Sequence, residues 1–160
     1  MEDEIVRFAG TKVMNGTICA HWCSPNLYGC RALRTRGTKI MMGYFYLEQG
    51  KPFVSYYADI PHTLHLEKRD YWKDTKEDII FVKNDMILNL TKKEDILPKL
   101  EALKADPHTG GYIQLLNHEQ YFYDFYEQYQ PDYEEKMRIM AQWMQDNGYV
   151  STKIEDLVLK

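Results

Sequence analysis

His118 and Glu119 are the residues of this sequence best suited to acid–base chemistry. They follow residues 110–116, an apolar run that predicts a buried strand, and α/β proteins usually hold their chemistry at the carboxyl ends of such strands. A histidine can give or take a proton because its unperturbed pKa lies near working pH. We predict both residues as catalytic. The alternative is a structural histidine that is hydrogen bonded to a backbone carbonyl.

Asp85 is the third predicted catalytic residue. It lies between two short apolar runs, 79–82 and 86–90, which predict strands. A loop carboxylate at a strand end can orient a histidine or a ligand, although an aspartate in that position also commonly makes a turn.

Aromatic residues crowd the stretch that follows His118, at Tyr121, Phe122, Tyr123, Phe125, Tyr126 and Tyr129. The chain has 13 tyrosines in 160 residues, and a tyrosine-rich surface suits sugar stacking or protein contacts because the ring is rigid and its hydroxyl stays hydrated. We predict four substrate-binding residues: His21, Trp22, Tyr121 and Tyr123. Packing of these rings over the end of the sheet is the alternative.

Two further clusters contain residue types that bind metals. Cys19, His21, Cys23 and Cys30 form a nominal Cys3His set. The first three alternate along a predicted strand and would span about 13 Å, too far for ligands at about 2.3 Å from one ion. Only a bend at Trp22 and Cys23 would bring them together, so the pattern favours semi-buried thiols.

The second cluster is H-x-x-H at residues 62–65, with Asp59, Glu67 and Asp70 close by in the sequence. On a helix both imidazoles would share one face and could bind a metal together with a carboxylate. Surface histidine pairs of this spacing are common, and we assign no metal ligand to this chain.

These residues must be positioned by elements that the sequence also predicts. Helices are expected over 2–9, 24–36, 91–106 (with a T-x-x-E capping box at Thr91 and Glu94) and 131–147, with a shorter one across 63–69; strands are expected over 17–22, 38–47, 52–57, 79–82, 86–90 and 110–116. A turn at Gln49 and Gly50 predicts that strands 38–47 and 52–57 form a β-hairpin. This alternation predicts an α/β protein with a largely parallel sheet, in a single domain over residues 1–160.

Composition excludes several partners. The net charge is −4, which does not favour nucleic acid, and no apolar run approaches the roughly 20 residues of a membrane span. The N-terminus lacks the basic-then-apolar order of a signal peptide, so we expect a cytoplasmic protein. Three cysteines fit reduced thiols better than a disulfide framework.

Several short motifs together resemble the C-terminal part of polysaccharide deacetylase-like (NodB-homology) proteins. They are R-F-A-G at 7–10, the histidine-bearing segment at His21, A-L-R-x-R-G at 32–37, G-Y-F-Y at 43–46, V-S-Y-Y at 54–57, D-x-x-F-x-x-x-D at 78–85, I-Q-L-L-N-H-E at 113–119, Y-x-P-D at 129–132 and W-x-x-x-N-G-Y at 143–149. The resemblance covers nearly the whole chain, and each piece of it is short.

The resemblance implies a partial or irregular (β/α) barrel with a β-hairpin insertion. It also implies kinship with metal-dependent hydrolases that act on carbon–nitrogen bonds. These enzymes remove acetyl groups from N-acetylated sugars. In that family a divalent ion, often zinc, activates water, while a carboxylate serves as base and a late histidine as acid. His118 matches the position of the late histidine.

The chain departs from the family at its metal site. It lacks the T-F-D-D block and the H-[ST]-x-x-H block, and its H-x-x-H is one residue too short. We therefore expect an incomplete domain, inactive on its own, with zinc belonging to complete homologues. Missing strands would leave sheet edges open, so we expect a homo-oligomer or a partner chain. The alternative is that the N-terminal segment or the tail of this chain closes the gap. The alternative function is a non-catalytic carbohydrate- or protein-binding module that uses the Tyr-rich loop 121–129.

Overall fold

The structure, a computed structural model, describes residues 2–11, 16–48, 51–54, 56–57, 65–66, 68–108 and 110–159. They fall into two compact units. Unit 1 comprises Met1–Glu67, Tyr71–Val82 and Lys153–Lys160, and unit 2 comprises Lys68–Asp70 and Lys83–Thr152.

The described chain contains both helices and strands. The helices are α1 (Glu2–Ala9), α2 (Leu27–Thr35), α3 (Ile96–Ala105), α4 (Tyr133–Asp146) and α5 (Ile154–Val158), with 3-10 turns at His21–Cys23, Leu88–Leu90, Lys93–Asp95 and Glu119–Phe122. The strands are β1 (Thr17–Ile18), β2 (Ile40–Gly43), β3 (Phe45–Glu48), β4 (Lys51–Val54), β5 (Tyr71–Asp74), β6 (Ile79–Lys83), β7 (Met86–Ile87) and β8 (Leu115–Leu116). The α/β class is confirmed. No closed barrel forms among the residues that the structure describes.

A four-stranded mixed sheet organises unit 1, in the order β1-β2-β6-β5. Strand β1 runs parallel to β2, and β5 runs antiparallel to β6. Strand β6 is buried from Ile79 to Val82, as expected for an inner strand whose side chains are apolar on both faces. Strands β3 and β4 form the predicted hairpin, with Phe45 opposite Val54.

Aromatic rings fill the core of unit 1 around Phe81, which is 0% exposed. Its ring stacks on Trp72 and meets Phe45 and Tyr57 edge-to-face, with centroids 5.4–5.8 Å apart. Such pairs add to the free energy gained from burying their apolar surface. Tyr56 and Tyr57, which follow β4, are half-buried and pack against this core.

Unit 2 consists of the parallel pair β7–β8 covered by α3 and α4. The predicted amphipathic pattern of residues 131–147 forms α4, which buries Tyr133, Met140 and Trp143 against Ile96 and Leu100 of α3. Lys136 lies on the same buried face, where the sequence pattern predicts no charge.

Several predicted elements are shorter than expected. Strand 17–22 is extended only at Thr17–Ile18, because the backbone takes a positive φ at Trp22 and Cys23. Strand 86–90 turns into a 3-10 segment after Ile87. The predicted capping box is wrong: the Thr91 hydroxyl donates to the carbonyl of Ile87, and the α-helix begins at Ile96.

Strand 110–116 is extended and paired only at Leu115–Leu116. A Cβ at Gly110 would lie 2.9 Å from the carbonyl oxygen of Asp106 and 3.0 Å from that of Lys104. Gly110 therefore belongs to the close packing at the end of α3, which only a residue without a side chain permits. Residues 63, 64 and 67 of the predicted helix 63–69, and the preceding His62, lie outside the described residues.

Candidate functional site

The parallel pair β7–β8 carries polar residues at both of its ends. Met86 pairs with Leu115 and Ile87 with Leu116. Two residues past each strand, Asn89 and His118 meet at the carboxyl end of the pair. One residue before each strand, Asp85 and Gln114 meet at the opposite end.

The His118 ring is held by Asn89. Its Nδ1 lies 2.9 Å from the side-chain oxygen of Asn89. An amide oxygen only accepts hydrogen bonds, so Nδ1 carries the proton and Nε2 of the neutral ring keeps its lone pair. The backbone N–H of His118 donates to the phenol oxygen of Tyr133, at 3.0 Å. The ring is thus oriented as a base or hydrogen-bond acceptor at Nε2.

A chain of hydrogen bonds fixes Asn89 in turn. The Gln130 amide donates to the Asn89 carbonyl at 2.9 Å, and Lys136 Nζ donates to the Gln130 side-chain oxygen at 2.9 Å. Lys136 is buried and lies 3.6 Å from Asp132. A buried ammonium needs such partners, so Lys136 ties the start of α4 to the segment that positions His118.

The aromatic loop divides into an inward and an outward set. Tyr121 lies edge-on to His118 at 6.1 Å and against Tyr133 at 5.6 Å, and Phe122 meets Tyr133 at 4.8 Å. Burial raises the pKa of the Tyr121 phenol above its usual value, so the phenol stays neutral and can donate. These rings are packed over the strand end, which is one of the two arrangements that the sequence allows.

The outward set consists of Tyr123 and Phe125. Their rings stack at 5.3 Å with an interplanar angle of 18°. They are 49% and 83% exposed. Exposed aromatic rings held against each other present a flat apolar surface beside polar groups, which is what a sugar ring or a partner protein can cover. Glu119, at the start of the loop, is also exposed.

Replacing Tyr133 by phenylalanine tests how His118 is held. The change keeps the buried ring and removes the hydroxyl that accepts from the His118 N–H. We expect a loss of about 1–2 kcal/mol in the free energy of unfolding, since a backbone donor loses its partner. Urea titration measures it, with Tyr129→Phe at an exposed tyrosine as control. Equal stability of Tyr133→Phe and the unmodified protein would contradict this bond.

Asp85 does not meet His118. It precedes β7 whereas His118 follows β8, so the two residues lie at opposite ends of the parallel pair. Asn89, which contacts His118, is four residues further along the chain than Asp85, and four residues of extended chain span up to about 13 Å. The side chain of Asp85 is 1% exposed. Its Oδ2 accepts from the Gln114 N–H at 2.7 Å, and its Oδ1 lies 3.6 Å from Lys83 Nζ.

Burial raises the pKa of Asp85 to about 6. The nearby carboxyl of Asp70 adds to this effect, while the Gln114 N–H and the Lys83 ammonium oppose it. Burial likewise raises the pKa of Asp70 above its usual value. The buried carboxyl of Asp85, the half-buried carboxyl of Asp70 and the Lys83 ammonium thus lie together at the amino end of β7–β8, where burial makes both carboxyls bind a proton more tightly.

The other predicted binding residues belong to unit 1. Trp22 is exposed and lies in the 3-10 turn His21–Cys23, and the side chain of His21 lies outside the description. The bend at Trp22 and Cys23 brings the sulfurs of Cys19 and Cys23 to 3.7 Å. Even so, no group of three or more His, Cys, Asp or Glu residues that could hold a metal occurs among the described residues. The described residues therefore do not fit the divalent ion of the deacetylase family.

Asn89, Gln130 and Lys136 are the site residues that sequence reasoning missed. Their signal was weak. A polar residue two positions after each of two short apolar runs, Asn89 and His118, becomes meaningful only once the runs are known to pair in register. No described helix is long and apolar enough to cross a membrane. Comparisons with protein-family profiles, with curated proteins and with solved structures gave no match.

Proposed function

We propose that this chain is a polysaccharide deacetylase-like domain that binds an N-acetylated carbohydrate at the carboxyl end of β7–β8. The proposal rests on one short segment that contains both an oriented His118 and the exposed stack of Tyr123 and Phe125. The motif resemblance at 113–149 supports the same substrate class. In this proposal the α/β arrangement is the later part of a (β/α) barrel.

The chemistry of the segment matches that ligand. A sugar presents apolar C–H faces, which an aromatic ring can cover. It also presents hydroxyl and amide N–H groups, which can donate hydrogen bonds to a ring nitrogen. The stack of Tyr123 and Phe125 supplies the first kind of contact, and Nε2 of His118 supplies the second. Asn89 sets the direction of that acceptor by holding Nδ1.

Binding is the part of the family's activity that these residues support. Hydrolysis by the family route needs a metal-held water, and the described residues assemble no set of metal ligands. We therefore derive no hydrolytic step. The expected association with a second copy or a partner chain, and the cytoplasmic location, stay proposals.

Calorimetric titration with a tetramer of N-acetylglucosamine tests the binding. Covering one ring face removes about 50 Å² of apolar surface from water, worth about 1.3 kcal/mol, so Phe125→Ala should weaken binding by about tenfold. His118→Ala should weaken it by a similar factor because the acceptor is lost. Tyr28→Ala, which removes an equally exposed ring from α2, is the matched control and should bind as the unmodified protein does.

A tetramer of glucose provides the second comparison, because it offers the same stacking faces without the acetamide. Weaker binding of the glucose tetramer supports recognition of the acetylated sugar. The proposal is wrong if Phe125→Ala and His118→Ala bind the acetylated tetramer as tightly as the unmodified protein, or if the unmodified protein binds neither sugar.

A further inference from the structure

Cys19 and Cys23 form a close pair of thiols in unit 1. Their sulfurs lie 3.7 Å apart, near van der Waals contact. A disulfide requires them to approach to about 2.05 Å. The two residues are separated by three others, so the pair arises from one tight local turn and needs no rearrangement of the sheet.

The turn that creates this pair is held by several backbone contacts. Trp22 and Cys23 both have positive φ, at 54° and 49°, a conformation that costs energy for residues other than glycine. The Cys23 N–H donates to the Ala20 carbonyl at 2.7 Å, and the Cys23 carbonyl accepts from the Tyr56 N–H at 2.6 Å. Strain of this kind persists where surrounding bonds fix it, and it often marks a functional turn.

The two thiols differ in access. Cys19 is exposed, whereas Cys23 is buried, with its sulfur 3.5 Å from the Met42 carbonyl oxygen. The Tyr56 hydroxyl donates to the same carbonyl at 2.7 Å. Met42 therefore keeps a donor if Cys23 loses its S–H, so the fold can tolerate oxidation of Cys23.

Cys19 and Cys30 also differ in acidity. A hydrogen bond from Cys23 lowers the pKa of Cys19 to about 7, against an opposing effect of partial burial. Burial, with help from the Glu77 carboxylate, raises the pKa of Cys30 to about 11. Since the thiolate is the nucleophile, Cys19 is the reactive thiol and Cys30 the inert one.

We propose that Cys19 and Cys23 are a redox-active dithiol that exchanges with low-molecular-weight disulfides such as oxidised glutathione. The Cys19 thiolate attacks one sulfur of the small disulfide, forming a mixed disulfide and releasing one small thiolate. The deprotonated Cys23 then attacks the Cys19 sulfur, forming the Cys19–Cys23 disulfide and releasing the second thiolate. The dithiol loses two electrons, the small disulfide gains them, and the two protons end on the released thiols.

Intact-mass analysis of the full chain tests the exchange. The reduced protein is treated with chelator, incubated with oxidised glutathione and quenched with iodoacetamide in denaturant, so that the buried Cys30 is alkylated as well. The unmodified protein should lose two hydrogens and keep one alkylated thiol, which peptide mapping should place at Cys30. Cys30→Ser, the control, should form the same disulfide.

The single variants separate the two steps. Cys23→Ser should stop with one glutathione on Cys19, and Cys19→Ser should form neither the adduct nor the disulfide; Cys23→Ala replaces Cys23→Ser if the serine variant does not fold. The proposal is overturned if the unmodified protein accumulates the glutathione adduct instead of the internal disulfide, or if Cys30→Ser abolishes the disulfide.

A labelling time course needs no variant. In the native reduced protein, iodoacetamide should modify Cys19 at least about tenfold faster than Cys30, because the rate follows exposure and thiolate character. Equal rates at the two residues would also overturn the proposal.

Discussion

Asp85→Asn is expected to stabilise the protein by up to about 3 kcal/mol at about pH 7.5 and to leave stability nearly unchanged at about pH 4. The substitution keeps an oxygen to accept from the Gln114 N–H and removes a charge that has almost no access to water. Urea titration followed by circular dichroism at the two pH values measures the difference.

The sign follows from the pKa of Asp85. Burial raises it from 3.8 to about 6, so the folded protein binds this proton more tightly than the unfolded chain. The stabilisation from the Asp85 carboxyl is fully present below the pKa that it has in the unfolded chain. It is lost as pH rises through the pKa that it has in the folded protein. A difference of about two pKa units corresponds to about 3 kcal/mol, all of which the neutral asparagine avoids.

Asp124→Asn is the matched control, because Asp124 is exposed in the aromatic loop. It should change stability by less than about 0.5 kcal/mol at either pH. If Asp85→Asn destabilises the protein at the higher pH, the ion pair with Lys83 outweighs burial and this account of Asp85 is wrong.

Phe81→Ala is expected to cost about 3–5 kcal/mol in the free energy of unfolding. Phe81 is fully buried, and in the described part of unit 1 its ring contacts those of Phe45, Tyr56, Tyr57 and Trp72. Removing it leaves a cavity that rigid rings fill poorly. Urea unfolding monitored by tryptophan fluorescence measures the cost.

Phe81→Leu is the control for cavity size. It keeps most of the apolar volume and should cost less than half as much as Phe81→Ala. A cost below about 1 kcal/mol for Phe81→Ala would mean that the aromatic cluster does not pack as described.

Local patterns were enough to predict the elements that depend on them. The apolar run 79–82 predicts a buried strand, and β6 is buried at those residues. The 3.6-residue period of the last long helix predicts α4. The β3–β4 hairpin follows from two strand-forming runs around Gln49 and Gly50, although that turn itself lies outside the described residues.

Features that depend on distant parts of the chain could not be predicted this way. Asn89 orients His118 across 29 residues of sequence, and the contact needs the register of β7 and β8. Lys136 can be buried only because the loop before α4 brings Gln130 and Asp132 to its ammonium.

Sequence reasoning raised a bend at Trp22 and Cys23 as a possibility but could not predict that it forms. Strand periodicity predicts an extended chain there, and no glycine or asparagine marks the positive φ. Tertiary bonds from Tyr56 to Cys23 and Ala20 hold the turn. The thiol pair of Cys19 and Cys23 is therefore a product of the fold and not of a recognisable motif.

In the proposed function, carbohydrate binds at the His118 edge through the outward rings of the aromatic loop. Titration of the protein with the N-acetylglucosamine tetramer, followed by NMR of the aromatic ring protons and carbons, tests it most directly. We expect shifts concentrated at His118, Tyr123 and Phe125, with the ring of Tyr28 unchanged. Shifts confined to rings outside residues 118–129, or no shifts at saturating sugar, would contradict it.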